Sequence, residues 1–264
     1  MVRKAAIGFL SFLLFCSLSV FGATFAMNRT ILNPDFVIAQ IDRMDVSSLV
    51  EEAAGGQFPL GQIPPDLEPW IREQTHTVIY GSYDYLLGKS ERLSVVIDLE
   101  PVRESLEESM GVAGLIPPTI EINATMIRMM SPETMDMLEQ ARRYIGYEQL
   151  AYRISIGAMI GIIVGLVFLH RRRLKSSARS IGIPCLTCGI PAFVGTLLAG
   201  GFATMLLAQL PPSPQLQGWL MQSINDLLAP LRMYSIGLMV TGITLLVLSV
   251  VYKERRPPAE TALG

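Results

Sequence analysis

Four runs of apolar residues are each long enough to cross the hydrocarbon core of a membrane, and they constrain this chain more than any other feature. They cover residues 5–26, 154–169, 181–210 and 234–252, and none contains Asp, Glu, Lys, Arg or His within its apolar body. A transmembrane helix needs about 20 mostly apolar residues. The runs predict a mainly α fold, a four-transmembrane-helix bundle in the cell membrane.

Lysine and arginine indicate how this bundle is oriented. Arg3 and Lys4 precede the first run, five basic residues lie within 171–179, and three more follow the fourth run. Because short cytoplasmic loops carry an excess of Lys and Arg, both termini are predicted to be cytoplasmic. The predicted segments are an N-terminal anchor (1–26), an extracytoplasmic domain (27–153), the second transmembrane helix (154–170), a basic cytoplasmic loop (171–180), the third helix (181–210), an extracytoplasmic amphipathic loop (211–233), the fourth helix (234–252) and a cytoplasmic tail (253–264).

The first run could be a membrane anchor or a cleaved signal peptide. It has a basic start, and Thr24 and Ala26 would permit cleavage after Ala26. Its apolar stretch of about 22 residues is longer than the 7–15 residues typical of a signal peptide, which favours an uncleaved anchor. Residues 27–153 lie outside in either case.

The segment between the first two runs has the composition of a soluble, acidic domain. It contains 20 of the 23 acidic residues, 10 of the 21 basic ones and none of the three cysteines. A block of this length can bury one core, and the lack of cysteine excludes a disulfide framework within it.

Helix signals predict that this domain is mostly helical. Asn33, Pro34 and Asp35 mark a helix start, and apolar spacing predicts a helix that Gly88 ends. Further interpretations are a short helix from Asp45 to Gly55, a strand or extended bridge at 93–101, a charged helix at 101–111, and no clear period over 114–130.

A long helix is predicted to connect this domain with the second run. Ser131 is a candidate N-cap, followed by Pro132 and Glu133, and no proline intervenes before the run ends. About 38 residues of continuous helix would reach about 57 Å. The prediction requires that the helix has no hinge near Gly146.

Small residues four positions apart form two candidate packing stripes. Glycines at this spacing create a flat groove that lets a second helix approach closely. Packing within the chain's own bundle is the favoured interpretation, and oligomerisation through the glycine face is the alternative. The predicted helix-packing residues are Gly157, Gly161 and Gly165 in the second run and Gly195, Ala199 and Ala203 in the third.

The outward loop 211–233 has leucines at helical spacing around Trp219. This pattern is typical of an amphipathic helix that lies at the membrane interface, with Trp219 at the level of the headgroups. Packing against the acidic domain is the alternative.

Cys185 and Cys188 form a C-x-x-C pair at the cytoplasmic start of the third run. Pro184 is expected to begin that helix and Pro191 to kink it. Two thiols three positions apart share a helical face, and a helix N-terminus can lower the pKa of a thiol. Buried inert cysteine is nevertheless the main expectation, because no second pair accompanies them, and S-acylation comes next.

Other site signals are sparse. Asn28 and Asn123 stand in N-glycosylation patterns, although Asn28 lies close to the predicted membrane surface. No catalytic motif is present, so we predict no catalytic, metal or cofactor-binding residues and no cofactor. The basic residues are accounted for by topology, which disfavours nucleic-acid binding. The absence of ionisable residues inside the runs also disfavours an ion-coupled transporter.

Three stretches of the chain carry a family resemblance. With "ILNPDF" after the first run, and "LEPWIREQTHTVIYGSYDYLLG" and "DLEPVRESL" downstream, it resembles uncharacterised prokaryotic multi-pass membrane proteins with an extracytoplasmic helical domain. Such proteins have no assigned activity, so the resemblance implies no catalytic residue.

The sequence therefore predicts a non-enzymatic binding, sensing or scaffold subunit of an envelope complex that acts through its outward domain. Its expected partners are the lipid bilayer and a protein partner or a second copy of the chain. The alternatives are a thiol-active membrane enzyme that uses Cys185 and Cys188, or a small-solute channel or transporter.

Overall fold

The fold is mainly helical in a computed structural model that describes residues 2–44, 68–101, 103, 117–170, 174–207, 209 and 214–251. Helices predominate because long apolar or amphipathic stretches run without interruption between turn signals. In chain order the elements are α1 (Val2–Arg29), α2 (Pro34–Asp42), α3 (Glu68–Leu86), β1 (Ser94–Asp98), β2 (Thr119–Asn123), α4 (Ala124–Met130), α5 (Pro132–Leu169), α6 (Leu174–Leu207) and α7 (Pro214–Val251).

Four of these helices, α1, α5, α6 and α7, are long and apolar enough to cross a membrane. This confirms the predicted fold class at the level of a mainly α chain with four membrane-length helices. Many of their large apolar side chains are exposed, as expected for helices whose surroundings are lipid. The chain is therefore described as a membrane protein.

The chain divides into two compact units. The membrane unit comprises the described residues up to Ala26 and from Leu150 onward, and the middle unit comprises Met27–Gln149. The core of the membrane unit is formed by buried side chains of all four long helices: Leu14, Leu18, Leu166, Cys185, Cys188 and Leu238. An aromatic cluster joins α1 to α5 and α7 through Phe21, whose ring centroid lies 5.5 Å from that of Tyr152 and 5.7 Å from that of Tyr234.

The closest helix pair in the membrane unit is α6 with α7. A Cβ at Gly182 would lie 3.1 Å from the Gly242 carbonyl oxygen, and a Cβ at Gly189 would lie 3.0 Å from the Ser235 carbonyl oxygen. Position 182 thus faces 242 and position 189 faces 235, so the two helices run antiparallel. The contact repeats after seven residues on both helices, which is the spacing of a left-handed crossing.

Two predicted boundaries in the membrane unit are wrong. Helix α6 begins at Leu174, so residues 174–180 of the predicted basic loop are helical, and Pro184 lies inside the helix and does not begin it. Helix α7 begins at Pro214, within the predicted outward loop. Residues 214–233 of that loop and the fourth apolar run therefore form one helix, and Pro230 lies inside it. Proline is tolerated within membrane helices because neighbouring groups bond the backbone atoms that it frees.

Hydrogen bonds from one face of α3 hold α2 in the middle unit. The Tyr80 hydroxyl donates to Asp35 (2.7 Å), the Tyr83 hydroxyl donates to the Ile31 carbonyl (2.5 Å), and the His76 Nε2 lies 2.9 Å from Asp42 Oδ1. Burial raises the pKa of Tyr83 above its usual range. The hydrogen bond to Asp35 raises the pKa of Tyr80.

A two-stranded antiparallel sheet packs against α3. Ser94 pairs with Asn123 and Asp98 with Thr119 at its two ends. Tyr85, Leu93, Val95 and Met135 form the buried core of this unit. Gly81 is required where α3 meets β1, because a Cβ there would lie 2.6 Å from the Val95 side chain.

The mostly helical domain predicted for 27–153 is therefore found only in part. Helices α2 and α4 have 9 and 7 residues, and part of the core is formed by β2, where no clear period was recognised. The helix start at Asn33 is confirmed, since its side chain accepts from the Asp35 N–H, and Gly88 follows α3 with a φ of 72°. The predicted helices at 45–55 and, apart from residues 101 and 103, at 101–111 lie outside the described residues.

The long helix from Ser131 is confirmed. Helix α5 runs for 38 residues without a break at Gly146, and its start is capped by the Ser131 hydroxyl, which lies 3.4 Å from the Thr134 N–H donor.

Candidate functional site

Three thioether side chains lie together on one exposed face of α4 in the middle unit. Met126, Met129 and Met130 stand at positions i, i+3 and i+4 of this seven-residue helix, so they share a face. Met129 is 80% exposed and Met130 is 77% exposed. We call these three residues the methionine surface.

Contacts on the other sides of α4 fix the direction of this surface. Ala124 and Ile127 pack against the core of the middle unit. The Asn123 side chain accepts from the Met126 N–H at 3.0 Å, and Arg128 forms a 2.9 Å ion pair with Glu139 of α5. The methionine surface is therefore presented outward on a helix that is anchored at its start and along its length.

Sequence reasoning missed this surface, although a signal was present. Of the 14 methionines in the chain, five lie between positions 126 and 137. The i, i+3, i+4 spacing could have identified a shared face if a short helix had been expected there. Met137, in the first turns of α5, is also largely exposed.

Cys185 and Cys188 are both buried in the core of the membrane unit, among leucines of α1, α5 and α7. They lie about three turns into α6, so the helix N-terminus that was expected to act on them is too distant. The Ser19 hydroxyl lies 3.5 Å from the Cys188 sulfur. Cys16, on α1, is half-buried, and all three thiols are free.

The surroundings of Cys185 and Cys188 do not favour metal binding or thiol reactivity. Within the part of the chain that the structure describes, no three His, Cys, Asp or Glu side chains group as metal ligands would. A buried thiol in apolar surroundings behaves as a small hydrophobic side chain. Burial also shields both sulfurs from an acylating enzyme.

The predicted glycine stripes make few close helix contacts within the described part of the chain. A Cβ at Gly157, Gly161 or Gly195 would have no neighbour within 4 Å among the described residues, and one at Gly165 would only touch Leu10 at 3.8 Å. Ala199 is exposed and Ala203 half-buried. The close contacts occur instead at Gly182, Gly189 and Gly242, which sequence reasoning did not select.

The two predicted glycosylation sites both lie in the middle unit. Asn28, in the last turn of α1, donates from its side-chain nitrogen to Glu148 at 2.8 Å. Asn123 caps α4, as described above. Both side chains therefore already stabilise local structure, and modification at either position stays a prediction.

No protein-family model matches this chain, and comparisons with curated proteins and with solved structures gave no match either. Function is therefore inferred from the geometry of the chain itself.

Proposed function

We propose that this chain is a non-enzymatic membrane protein that binds a partner protein through its middle unit, which lies outside the cytoplasm. The methionine surface is the observation that carries the proposal. Two of its three side chains are more than three-quarters exposed, although burial of a thioether side chain is favourable by about 1.5–3 kcal/mol. An apolar patch that stays exposed on a charged unit is typical of an interaction site.

Methionine side chains suit such a role because they are unbranched and polarisable. They adapt to an irregular partner surface and are over-represented on binding surfaces that accommodate different ligands. The ion pair between Arg128 of α4 and Glu139 of α5 lies on a neighbouring side of the same short helix. A partner with an apolar ridge flanked by charged groups would complement the methionine surface.

The outward position of the middle unit is supported by the distribution of basic residues. Basic residues precede the apolar part of α1, cluster at 171–179 before the apolar part of α6, and follow α7. With four membrane-length helices, these three positions fall on one side, and the middle unit falls on the other.

Labelling of Lys89→Cys tests this orientation. Lys89 is in the middle unit with a side chain 64% exposed, whereas Cys185 and Cys188 are buried. A membrane-impermeant maleimide should label the variant in intact cells. Labelling that requires permeabilised cells would place the middle unit inside and overturn the orientation.

Site-specific photocrosslinking tests the partner. A photoreactive phenylalanine analogue is placed at Met129, and at Val96 as a matched control, since Val96 is an exposed apolar side chain (52%) on β1. In native membranes, position 129 should give a light-dependent crosslinked product and position 96 should not. Equal crosslinking at both positions would indicate only random collisions.

Binding of the crosslinked partner should then depend on the methionine surface. The triple variant Met126→Ser, Met129→Ser, Met130→Ser should lose this partner on purification in mild detergent, while Val96→Ser retains it. Because the replaced side chains are exposed, the helical circular dichroism spectrum should be unchanged. Retention of the partner by a folded triple variant would refute the proposal.

A further inference from the structure

A groove of about 540 Å³ lies between α1 and α6 in the membrane unit. On α6 its lining extends from Ser176 to Thr187, which is about 16 Å along the helix axis. Ser11 of α1 meets Ser180, and Ser19 of α1 meets Cys188, so the two helices run parallel. One end of the groove is therefore formed by the N-terminal parts of both helices.

The polar side chains of the groove are gathered at that end. Ser176, Arg179 and Ser180 of α6 line it, together with Ser11 of α1. Among the described residues, Arg179 is the only charged residue in the lining, and no acidic residue contributes to it. Among the residues that the structure describes, Arg179 forms no ion pair.

The other end of the groove is apolar. Phe12 and Phe15 contribute from α1, and Ile183 and Pro184 from α6. Thr187 belongs to this end as well, because its hydroxyl lies within 3.1 Å of the carbonyls of both Ile183 and Pro184 and is thus held by its own helix. It presents mainly its methyl group to the groove.

Pro184 explains why α1 and α6 are hydrogen-bonded to each other at the point where the lining passes from polar to apolar residues. Proline has no N–H, so the carbonyl four residues earlier, that of Ser180, loses its usual helical donor. The Ser11 hydroxyl donates to this carbonyl at 3.2 Å. This bond links α1 to α6 at the boundary between the polar and the apolar end.

From this arrangement we propose that the groove binds one anionic phospholipid. The phosphate lies at the polar end, where the Arg179 guanidinium can donate two parallel hydrogen bonds and the hydroxyls of Ser176 and Ser180 can donate further ones. One acyl chain lies along Phe12, Phe15 and Ile183. Basic pockets between transmembrane helices are suited to acidic headgroups.

The lining also specifies which lipid. A zwitterionic headgroup carries an ammonium that needs an acidic partner, and the described residues of the lining include none. A free phosphate would leave the apolar half of the groove without a ligand. Net negative charge and an acyl chain are therefore both required of the occupant.

Native mass spectrometry of the full chain tests the proposal. The delipidated protein is titrated with dioleoyl phosphatidylglycerol or with dioleoyl phosphatidylcholine, which have the same acyl chains. The first lipid bound should be phosphatidylglycerol, with an affinity about ten-fold higher. Equal retention of both lipids would overturn the proposal.

Two variants and one matched control locate the site. Arg179→Gln should lower the affinity for phosphatidylglycerol about ten-fold. Lys175→Gln, an exposed basic residue one turn earlier that is outside the lining, should change it less than about two-fold. Equal losses in both variants would show only general attraction of acidic lipid to basic residues.

Ile183→Trp addresses the acyl end without removing charge. The larger ring should fill the groove and lower lipid retention while Arg179 stays in place. Glycerol 3-phosphate distinguishes a soluble anion from a lipid, because it has the headgroup chemistry without the chains and should not displace bound lipid at millimolar concentration. Displacement by glycerol 3-phosphate, or unchanged retention in Ile183→Trp, would refute a lipid site.

Discussion

Replacement of Gly189 by leucine should separate α6 from α7. A Cβ at this position would lie 3.0 Å from the Ser235 carbonyl oxygen, 3.0 Å from the Leu238 Cβ and 3.1 Å from the Met239 Cγ. Favourable contacts between carbon atoms lie at about 3.5–4.0 Å, so the added atom is too close by about 0.5–1 Å. The Ser235 carbonyl belongs to a helix backbone and can move only if the helix moves.

Gly195→Leu is the matched control, six residues further along the same helix. A Cβ at Gly195 has no neighbour within 4 Å among the residues that the structure describes. Both variants exchange the same two residue types within α6, so the difference in helix propensity cancels when they are compared. What remains is the cost of overpacking, about 1–3 kcal/mol for Gly189→Leu and close to none for the control.

Thermal unfolding in a detergent that keeps the chain monomeric measures this difference. With a shift of about 2–4 °C per kcal/mol for a chain of this size, Gly189→Leu should melt about 2–12 °C below Gly195→Leu. Leu238→Ala creates space beside position 189, so it should destabilise Gly189→Leu less than it destabilises the wild type. Equal melting temperatures for the two leucine variants would show that α6 and α7 do not approach each other as described.

Three further predictions address other parts of the chain. The pKa of Tyr83 is raised by burial, so its contribution to stability should be complete below the unfolded value near pH 10 and be lost as the pH rises through the higher folded value. Thermal melts at pH 7.5 and 10.5 should show a larger loss in the wild type than in Tyr83→Phe, which is itself less stable at neutral pH by about 0.5 kcal/mol. Single-cysteine variants should react with maleimide in native membranes more slowly at Cys185 and Cys188 than at Cys16, and at similar rates in SDS; fast native labelling of the pair would contradict their burial. Gly161→Leu should weaken any self-association seen by analytical ultracentrifugation, since a Cβ at position 161 would contact no other described element within 4 Å, while Gly8→Leu on α1, equally open, should not.

The helix contacts show where sequence reasoning succeeded and where it failed. The four membrane-length runs could be predicted because apolar length alone determines them. The packing residues could not, because the four-residue glycine spacing drew attention to Gly157 and Gly161. The contacts at 182 and 189 on α6 and at 235 and 242 on α7 are instead seven residues apart, and the small residues one further interval along, Thr196 and Ser249, are also buried.

Serine and threonine at these seven-residue positions act as small residues because their hydroxyls bond their own helix. Thr196 donates to the Phe193 carbonyl at 2.7 Å, Ser235 to Arg232 at 2.8 Å, and Ser249 to Leu246 at 2.7 Å. Each then presents little polar surface to the facing helix. A search for glycine alone therefore overlooks half of the motif.

The missed strand and the missed helix start have local physical reasons. Residues 119–130 contain five residues of strand followed directly by seven of helix, so neither periodicity prevails over the window. The prediction that Pro184 begins the helix follows a rule for helices in water. There an internal proline leaves one carbonyl without its donor and kinks the backbone, and many helices end at that point. Within the bundle the Ser11 hydroxyl bonds that carbonyl, and α6 continues. The methionine surface depends on the same short helix α4 and was missed with it.

The hydrogen bonds of the long helices also bear on what the membrane unit can do. A solute pathway needs polar groups that are free to exchange partners with the solute. Thr204 and Thr244 each donate to the carbonyl four residues earlier, and Ser155 donates to the carbonyl three residues earlier. Hydroxyls committed in this way leave fewer polar groups free to contact a solute within the four helices. The exposed thioethers of α4, and the Arg179 guanidinium, which forms no ion pair among the described residues, are the groups that the two proposals assign to a partner and to a lipid.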